Sequence, residues 1–483
     1  MDATLEKRLK RQVIGKPHRF LAIAPLGFEQ TLIREFESLG IGTTARSGIV
    51  SDTEQGNTDS VTFRIVSDGK LEFTAKITDA WKAVAYSRVV NRILMHIADF
   101  KAENFRELEK KAAEIPWELY LKFGIQISDF GINDKQSSWN AAAKSKALNI
   151  HVTCKHSRLY HSDAVAERLQ KIIDGVNHRS SAPNTPPQNI FVTLIDDRCT
   201  IWLDLAGEEL YKRGHERYVN DAPLKETIAA AMIFEAISLI GAPHRPQSEL
   251  SEQPHSTPTT NHQPLATIID PMAGSGTFSL EAAYIANKLI PGKCRDFALK
   301  HQPAFKEATW KYITNSELSV QNSELKKILT SDISERAIEI IKHNVECSPL
   351  AGIEPTPLAP LQKDFFAYTA KEIADASKES SPIIVLNPPY GKRLDFDAPK
   401  LYTRIGRKLT ELAHDLKQFK KALTVAILAP KDDCREGSKY TCTSNLLREC
   451  AALSPEHNPA AKQIATSHGG FSLNVFIAQL NHQ

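Results

Sequence analysis

The sequence predicts an α/β chain: a Rossmann-like, doubly wound region fills the carboxyl-terminal half, behind a smaller α+β region of the ferredoxin-like type. Three observations carry this expectation. Short apolar, β-branched runs near Ile268, Ile328, Leu361, Ile384, Val425 and Val475 alternate with helical patterns, as a parallel sheet with crossover helices requires. The run Ala266–Asp270 enters a glycine-rich turn, Pro271 to Thr277, and then a helical pattern from Phe278 to Leu289. The run Ile383–Leu386 stops at Asn387-Pro388-Pro389-Tyr390, where two prolines cannot continue a hydrogen-bond ladder.

Taken in order, residues 1–17 read as a basic tail without an apolar signal core. Phe20–Ile23 reads as a strand, and Gly27–Leu39 as an amphipathic helix with Leu32, Ile33, Phe36 and Leu39 on one face. Strands follow at Val61–Val66 and Leu71–Ile77, then a helix over Asp79–Ile97. Residues 18–75 form the ferredoxin-like part of this expectation, and residues 76–206 a second α+β region. The latter has a strand at Gly124–Asp129, a helix at Ser162–Ile173 and a pair of strands at Ile190–Ile195 and Thr200–Leu205. Residues 207–483 make up the catalytic region, interrupted by a polar, Pro/His/Ser/Thr-rich stretch at 242–264 that is expected to be a flexible insert.

Composition narrows the class. With 483 residues, 42% of them hydrophobic, the chain can fill two or three cores. No apolar run is long enough to cross a membrane, so a cytoplasmic protein without a membrane partner is expected. The seven cysteines are scattered and include no Cys-x-x-Cys pair, which predicts reduced thiols and no metal site. A net charge of +3 does not announce a nucleic-acid binder, but its distribution is uneven. Lys144, Lys146, Lys155, Arg158 and Arg168 stand in a stretch with few acids, a composition suited to phosphate contacts.

The turns carry the chemistry. A glycine-rich turn between strand and helix lets a ligand approach the backbone. In Pro271, Ala273, Gly274, Ser275, Gly276 and Thr277 it lacks the third glycine of a dinucleotide fingerprint and the lysine of a phosphate loop. With Asp270 in front, it suits a ligand with a cationic end and no phosphate, which describes S-adenosylmethionine. Asp332, ending the strand from Lys326, is placed to accept ribose hydroxyls. Asp364 and Phe365 stand in the position for an adenine amine and its ring. At Asn387 and Pro388, an amide oxygen and a carbonyl can accept from an exocyclic NH2, while Tyr390 offers a face to a planar base. Lys392 and Arg393 follow, within reach of a backbone phosphate.

Together, Asp270 to Thr277, Ser331-Asp332-Ile333, Asp364 and Asn387 to Leu394 resemble the class I methyltransferase motifs of the THUMP-containing RNA guanine-N2 methyltransferases, above all the bacterial 23S rRNA enzymes. Tyr211-Lys212-Arg213-Gly214-His215-Glu216-Arg217 and Ala222-Pro223-Leu224-Lys225-Glu226-Thr227 resemble the segment preceding those motifs. Ala273 departs from the cysteine common there. The resemblance implies a class I methyltransferase fold with an antiparallel hairpin at the sheet edge, and a THUMP RNA-binding domain over 76–206. It also implies S-adenosylmethionine as methyl donor and an rRNA guanosine, or a tRNA guanosine, as acceptor. An adenine-N6 methylase, a protein glutamine methylase and a non-catalytic RNA-binding factor are the alternatives. Asn387, Pro388, Pro389 and Tyr390 are the expected catalytic residues. Asp270, Pro271, Ala273, Gly274, Ser275, Gly276, Thr277, Asp332, Ile333, Asp364, Phe365 and Asn387 are expected around the cofactor.

Overall fold

Two seven-stranded sheets organise the computed structural model, which describes residues 3–42, 63–122, 148–176, 187–219, 223–240, 265–315, 325–390, 397–432 and 441–480. The chain divides into two units. The first comprises residues 1–24, 36–210 and 295–316; the second comprises 25–35, 211–294 and 317–483.

The stretch expected as a basic tail is helical. Helix α1 (Ala3–Leu9) runs into a wide turn at Lys10–Ile14, and Leu9 and Val13 are buried. Next come β1 (Pro17–Ile23), α2 (Glu29–Ser38), β2 (Phe63–Ser67), β3 (Lys70–Lys76) and α3 (Ile77–Tyr86). The helix expected to reach Ile97 stops at Tyr86, because Ser87 turns extended (ψ 130°) and its hydroxyl accepts from the Val90 amide at 3.1 Å. The chain then re-enters the sheet as β4 (Arg92–Lys101). Val84, Arg88 and Arg92 share a helical period by coincidence; the apolar run at Ile93–Met95 is a buried strand. After α4 (Phe105–Ala113) come β5 (Leu148–Lys155), α5 (Ser162–Val176), β6 (Gln188–Ile195) and β7 (Arg198–Asp204). The sheet order is β2-β3-β1-β4-β7-β6-β5, antiparallel except for the β5–β6 pair. This one sheet runs across the expected boundary at residue 75, since β1 bonds both β3 and β4. The expected strand at 124–129 and the insert at 242–264 lie outside the described residues.

The second unit begins its core with α6 (Glu226–Ile240), apolar almost all round, then β8 (Ala266–Asp270) and α7 (Thr277–Ala286). The following stretch returns to the first unit with α8 (Glu307–Asn315). Arg295 fastens it there by donating to the carbonyls of Glu208 at 2.7 Å and Glu209 at 2.9 Å. The sheet resumes with β9 (Leu325–Asp332), α9 (Glu335–Glu346), β10 (Leu361–Gln362), α10 (Ala370–Ala376) and β11 (Ser381–Leu386). It closes with α11 (Ala398–Asp415), β12 (Leu423–Pro430), α12 (Cys442–Glu449), β13 (Lys462–His468) and β14 (Phe471–Leu480).

The strand order is β10-β9-β8-β11-β12-β14-β13. The first five strands are parallel, and β14 is antiparallel to both its neighbours. This is the Rossmann-like order expected, with an antiparallel hairpin at one edge. Strands β8 and β12 are buried along their whole length, as is nearly all of β11, which explains why their apolar residues do not alternate with exposed polar ones. Chain order reverses between β8 and β11, so a crevice opens at their carboxyl ends. No described helix is long and apolar enough to cross a membrane.

Candidate active site

A cleft of about 390 Å³ occupies that crevice, entirely within the second unit. Its floor is the turn after β8. Gly274 (φ +56°) and Gly276 (φ +80°) are left-handed, and a side chain on Gly276 would meet Ile341 of α9 at 3.0 Å. Glycine at 276 therefore lets α7 start close against α9. Pro271, Ala273, Gly274, Ser275 and Thr277 line the cleft, while Gly276 serves as the N-cap of α7.

Asp270 departs from the expected position. It lies beneath the turn, 1% exposed, and is not among the lining residues. Its Oδ2 accepts from the Ser279 hydroxyl at 2.7 Å and the Ser279 amide at 3.2 Å. Its Oδ1 is buried and has no hydrogen-bond partner among the described residues. Burial pushes this carboxyl up to about 7; the Ser279 bonds oppose the shift and the nearby Asp332 charge adds to it.

Asp332 and Ile333 reach the cleft from the end of β9. The Asp332 carboxylate accepts from the Gly274 amide at 2.9 Å and the Ser334 amide at 2.9 Å, one on each oxygen. Each oxygen keeps a lone pair for a ligand hydroxyl. Asp364 accepts from the Phe366 amide at 3.0 Å, capping the short helix that carries Phe365 to the cleft wall. The end of β11 supplies Asn387, Pro388, Pro389 and Tyr390. Among the described residues Asn387 Oδ1 is buried without a hydrogen-bond partner, an expensive state that a ligand N–H would relieve. The Tyr390 ring meets Phe471 edge-on, with centroids 5.7 Å apart.

The segment from 211 to 227 holds this cleft from behind. Arg213 forms a buried, two-point pair with Glu281 of α7 at 2.9 and 3.1 Å. Arg217 pairs with Glu226 and donates to the hydroxyls of Thr277 and Ser275. Pro223 and Leu224 line the cleft, and His468 reaches the Pro223 carbonyl at 2.8 Å. Sequence reasoning gave no site role to Pro223, Leu224, Met272, Phe278 or Phe471. The only signals were the Pro-Leu-Lys-Glu-Thr segment and the Gly469-Gly470 turn before Phe471.

The expected phosphate contacts are less uniform. Lys155 is exposed at the end of β5. Arg158 pairs with Glu103 and Asp197, and Arg168 pairs with Glu109 and lies 4.2 Å from the Phe105 ring centre. These three belong to the first unit. Lys144, Lys146, Lys392 and Arg393 lie outside the described residues.

Residues 258–428 match a family model described as the RMKL-like methyltransferase domain. The ribosomal RNA large subunit methyltransferase K/L of Allochromatium vinosum is 27% identical over 407 residues, covering 82% of this chain but 46% of that protein. The chain thus spans about half the length of the large-subunit enzymes it matches. YpsC of Bacillus subtilis, provisionally named an RNA methyltransferase, is 25% identical over 381 residues, or 78% of this chain and 80% of YpsC. The crystal structure of SMU.472 with bound SAH superposes with a TM-score of 0.65 at 22% identity, over 97% of this chain and 99% of that one, so the fold is shared.

Proposed function

From a chain whose residues 258–428 belong with the RMKL-like methyltransferase domains, we propose an enzyme that methylates the exocyclic N2 of a guanosine in 23S rRNA, with S-adenosylmethionine as methyl donor. The observation that carries this reading is Asn387 Oδ1, buried where β11 opens into the cleft and without a hydrogen-bond partner among the described residues. An amine seated there would satisfy it.

The residues fit the donor. Its ribose hydroxyls would meet Asp332, and its adenine would lie between Ile333 and Phe365 with Asp364 at its amine. Asp270 lies buried beneath the turn where a cationic end would rest, and that positive charge would favour the ionised form of a carboxyl that burial holds up at about 7. When bound, the donor supplies an electrophilic methyl group.

The chain's own residues orient the acceptor. A guanine N2 lone pair is delocalised into the ring and is a poor nucleophile. Accepting its hydrogens on Asn387 Oδ1 and the Pro388 carbonyl favours a more pyramidal nitrogen with its lone pair aimed along one direction. Tyr390, steadied by Phe471, offers a stacking face to a base that has left its helix. The proton shed after transfer can pass to water, so no strong general base is needed.

In this reading the first unit docks RNA through a THUMP-like region in residues 76–206, with Lys155 among its phosphate contacts and Arg158 and Arg168 able to exchange surface pairs for phosphates. The test is nucleoside mass spectrometry of rRNA and tRNA from a strain lacking the gene. Loss of one N2-methylguanosine from 23S rRNA supports the proposal. Loss of N6-methyladenosine, or of a tRNA modification, transfers the enzyme to another substrate.

A further inference from the structure

Behind the glycine turn, on the far side of Asn344, three side chains of different chemistry converge. Glu216, His343 and Cys347 bring a carboxylate oxygen, an imidazole nitrogen and a sulfur within 4.8 Å of one another. His343 stands in the last turn of α9 and Cys347, four residues on, caps the carboxyl end of that helix. Their ligand atoms, Nε2 and Sγ, are 3.5 Å apart. A tetrahedral zinc, with Zn–S about 2.3 Å and Zn–N about 2.0–2.1 Å, sets its sulfur and nitrogen roughly 3.5 Å apart.

The surroundings are built rather than incidental. The Tyr218 ring stacks on His343, centroids 3.8 Å apart and planes at 18°, which fixes the imidazole plane. Tyr218 is itself held by both its main-chain groups. Its amide donates to Asn344 Oδ1 at 2.8 Å and its carbonyl accepts from Asn344 Nδ2 at 2.9 Å. The same Nδ2 donates to the Ser275 carbonyl at 3.1 Å, so this arrangement abuts the cleft turn. His343 and Cys347 are half-buried, while Glu216 is exposed, which leaves a path for an ion and an open fourth position.

We propose that Glu216, His343 and Cys347 form a zinc site that staples the segment around residue 216 to α9. One sulfur, one nitrogen and one oxygen make a borderline-soft donor set that suits zinc better than magnesium or calcium. The Cys347 thiol gives up its proton to solvent as the Zn–S bond forms, and water completes the tetrahedron. The expectation of no metal rested on the absence of Cys-x-x-Cys spacing. Here the pair is His-x-x-x-Cys at a helix end, and its third member is more than a hundred residues away in sequence.

The test is titration of zinc chloride into untagged, chelator-treated, full-length protein by calorimetry, with cobalt(II) absorption as a second probe. One site per chain is expected, with a thiolate-to-cobalt charge-transfer band. Cys347→Ser and His343→Ala should each weaken zinc more than about tenfold. The exposed, isosteric Glu216→Gln should weaken it severalfold with an unchanged circular-dichroism melt. Cys154→Ser should keep both zinc and band. A wild-type protein without a binding heat, a band that survives Cys347→Ser, or a Glu216→Gln protein with full affinity would overturn the proposal.

Discussion

The Gly274 amide donates to Asp332 Oδ2 at 2.9 Å, so the acid at the end of β9 holds the turn that follows β8. Two motifs that are far apart in sequence form one cradle. Asp332→Ala removes the acceptor for the turn as well as the acceptor proposed for ribose. S-adenosylmethionine affinity should fall on the order of 10- to 100-fold, as expected for lost bonds to a charged group of about 1.5–3 kcal/mol. Calorimetry on the folded variant checks this; unchanged affinity would remove Asp332 from the site.

Asp270 should make stability depend on pH in an unusual direction. Its folded carboxyl is raised to about 7 by burial, above its unfolded value of 3.8. The folded state therefore holds a proton that the unfolded chain has lost between those values. The protonated form's stability is fully present below about 3.8 and is lost as pH rises through about 7. Three units correspond to roughly 4 kcal/mol at most. Asp270→Asn should thus raise the melting temperature of the ligand-free protein at pH 8 and change it little near pH 4. Equal shifts at both pH values would contradict the assignment.

Arg213 and Glu281 are both almost fully enclosed, with side chains 2% and 0% exposed. Removing one partner strands a charge, so Arg213→Ala should cost about 3–5 kcal/mol in chemical denaturation. Replacing both, as Arg213→Met with Glu281→Leu, should recover much of that loss. A double variant as unstable as the sum of the singles would show that packing, not charge, governs this pair.

RNA affinity should fall steeply with salt, because phosphate contacts release counterions. Lys155→Glu combined with Arg158→Glu should weaken RNA binding by about tenfold or more and flatten that salt slope, leaving S-adenosylmethionine affinity unchanged. Filter binding across a salt series reads both. A variant with the wild-type slope would exclude this surface from docking.

Much of the second unit was legible because its strands are buried on both faces and stop at distinctive turns. Ile383–Leu386 announces itself by continuous apolar composition and Ala266–Asp270 by its β-branched run, and the glycines and prolines after them mark the cleft. Less legible was anything set by partners distant in sequence. Strand β13, Lys-Gln-Ile-Ala-Thr-Ser-His, is polar because it lies at the sheet edge, and only its pairing with β14 makes it a strand. The helix expected across Arg92 failed because a buried strand and a buried helix share one apolar pattern. Asp270 was expected to face the ligand; its burial beneath the turn depends on Ser279, a position that sequence reasoning noted only as a missing glycine.

In the proposed reaction Asn387 orients the reacting amine. Single-turnover methyl transfer by Asn387→Ala, measured with the enzyme saturated in both S-adenosylmethionine and RNA, tests it most directly. The expected result is a rate lower by about a hundredfold or more, with both affinities close to wild type. An Asn387→Ala enzyme that transfers the methyl group at the wild-type rate would contradict the account.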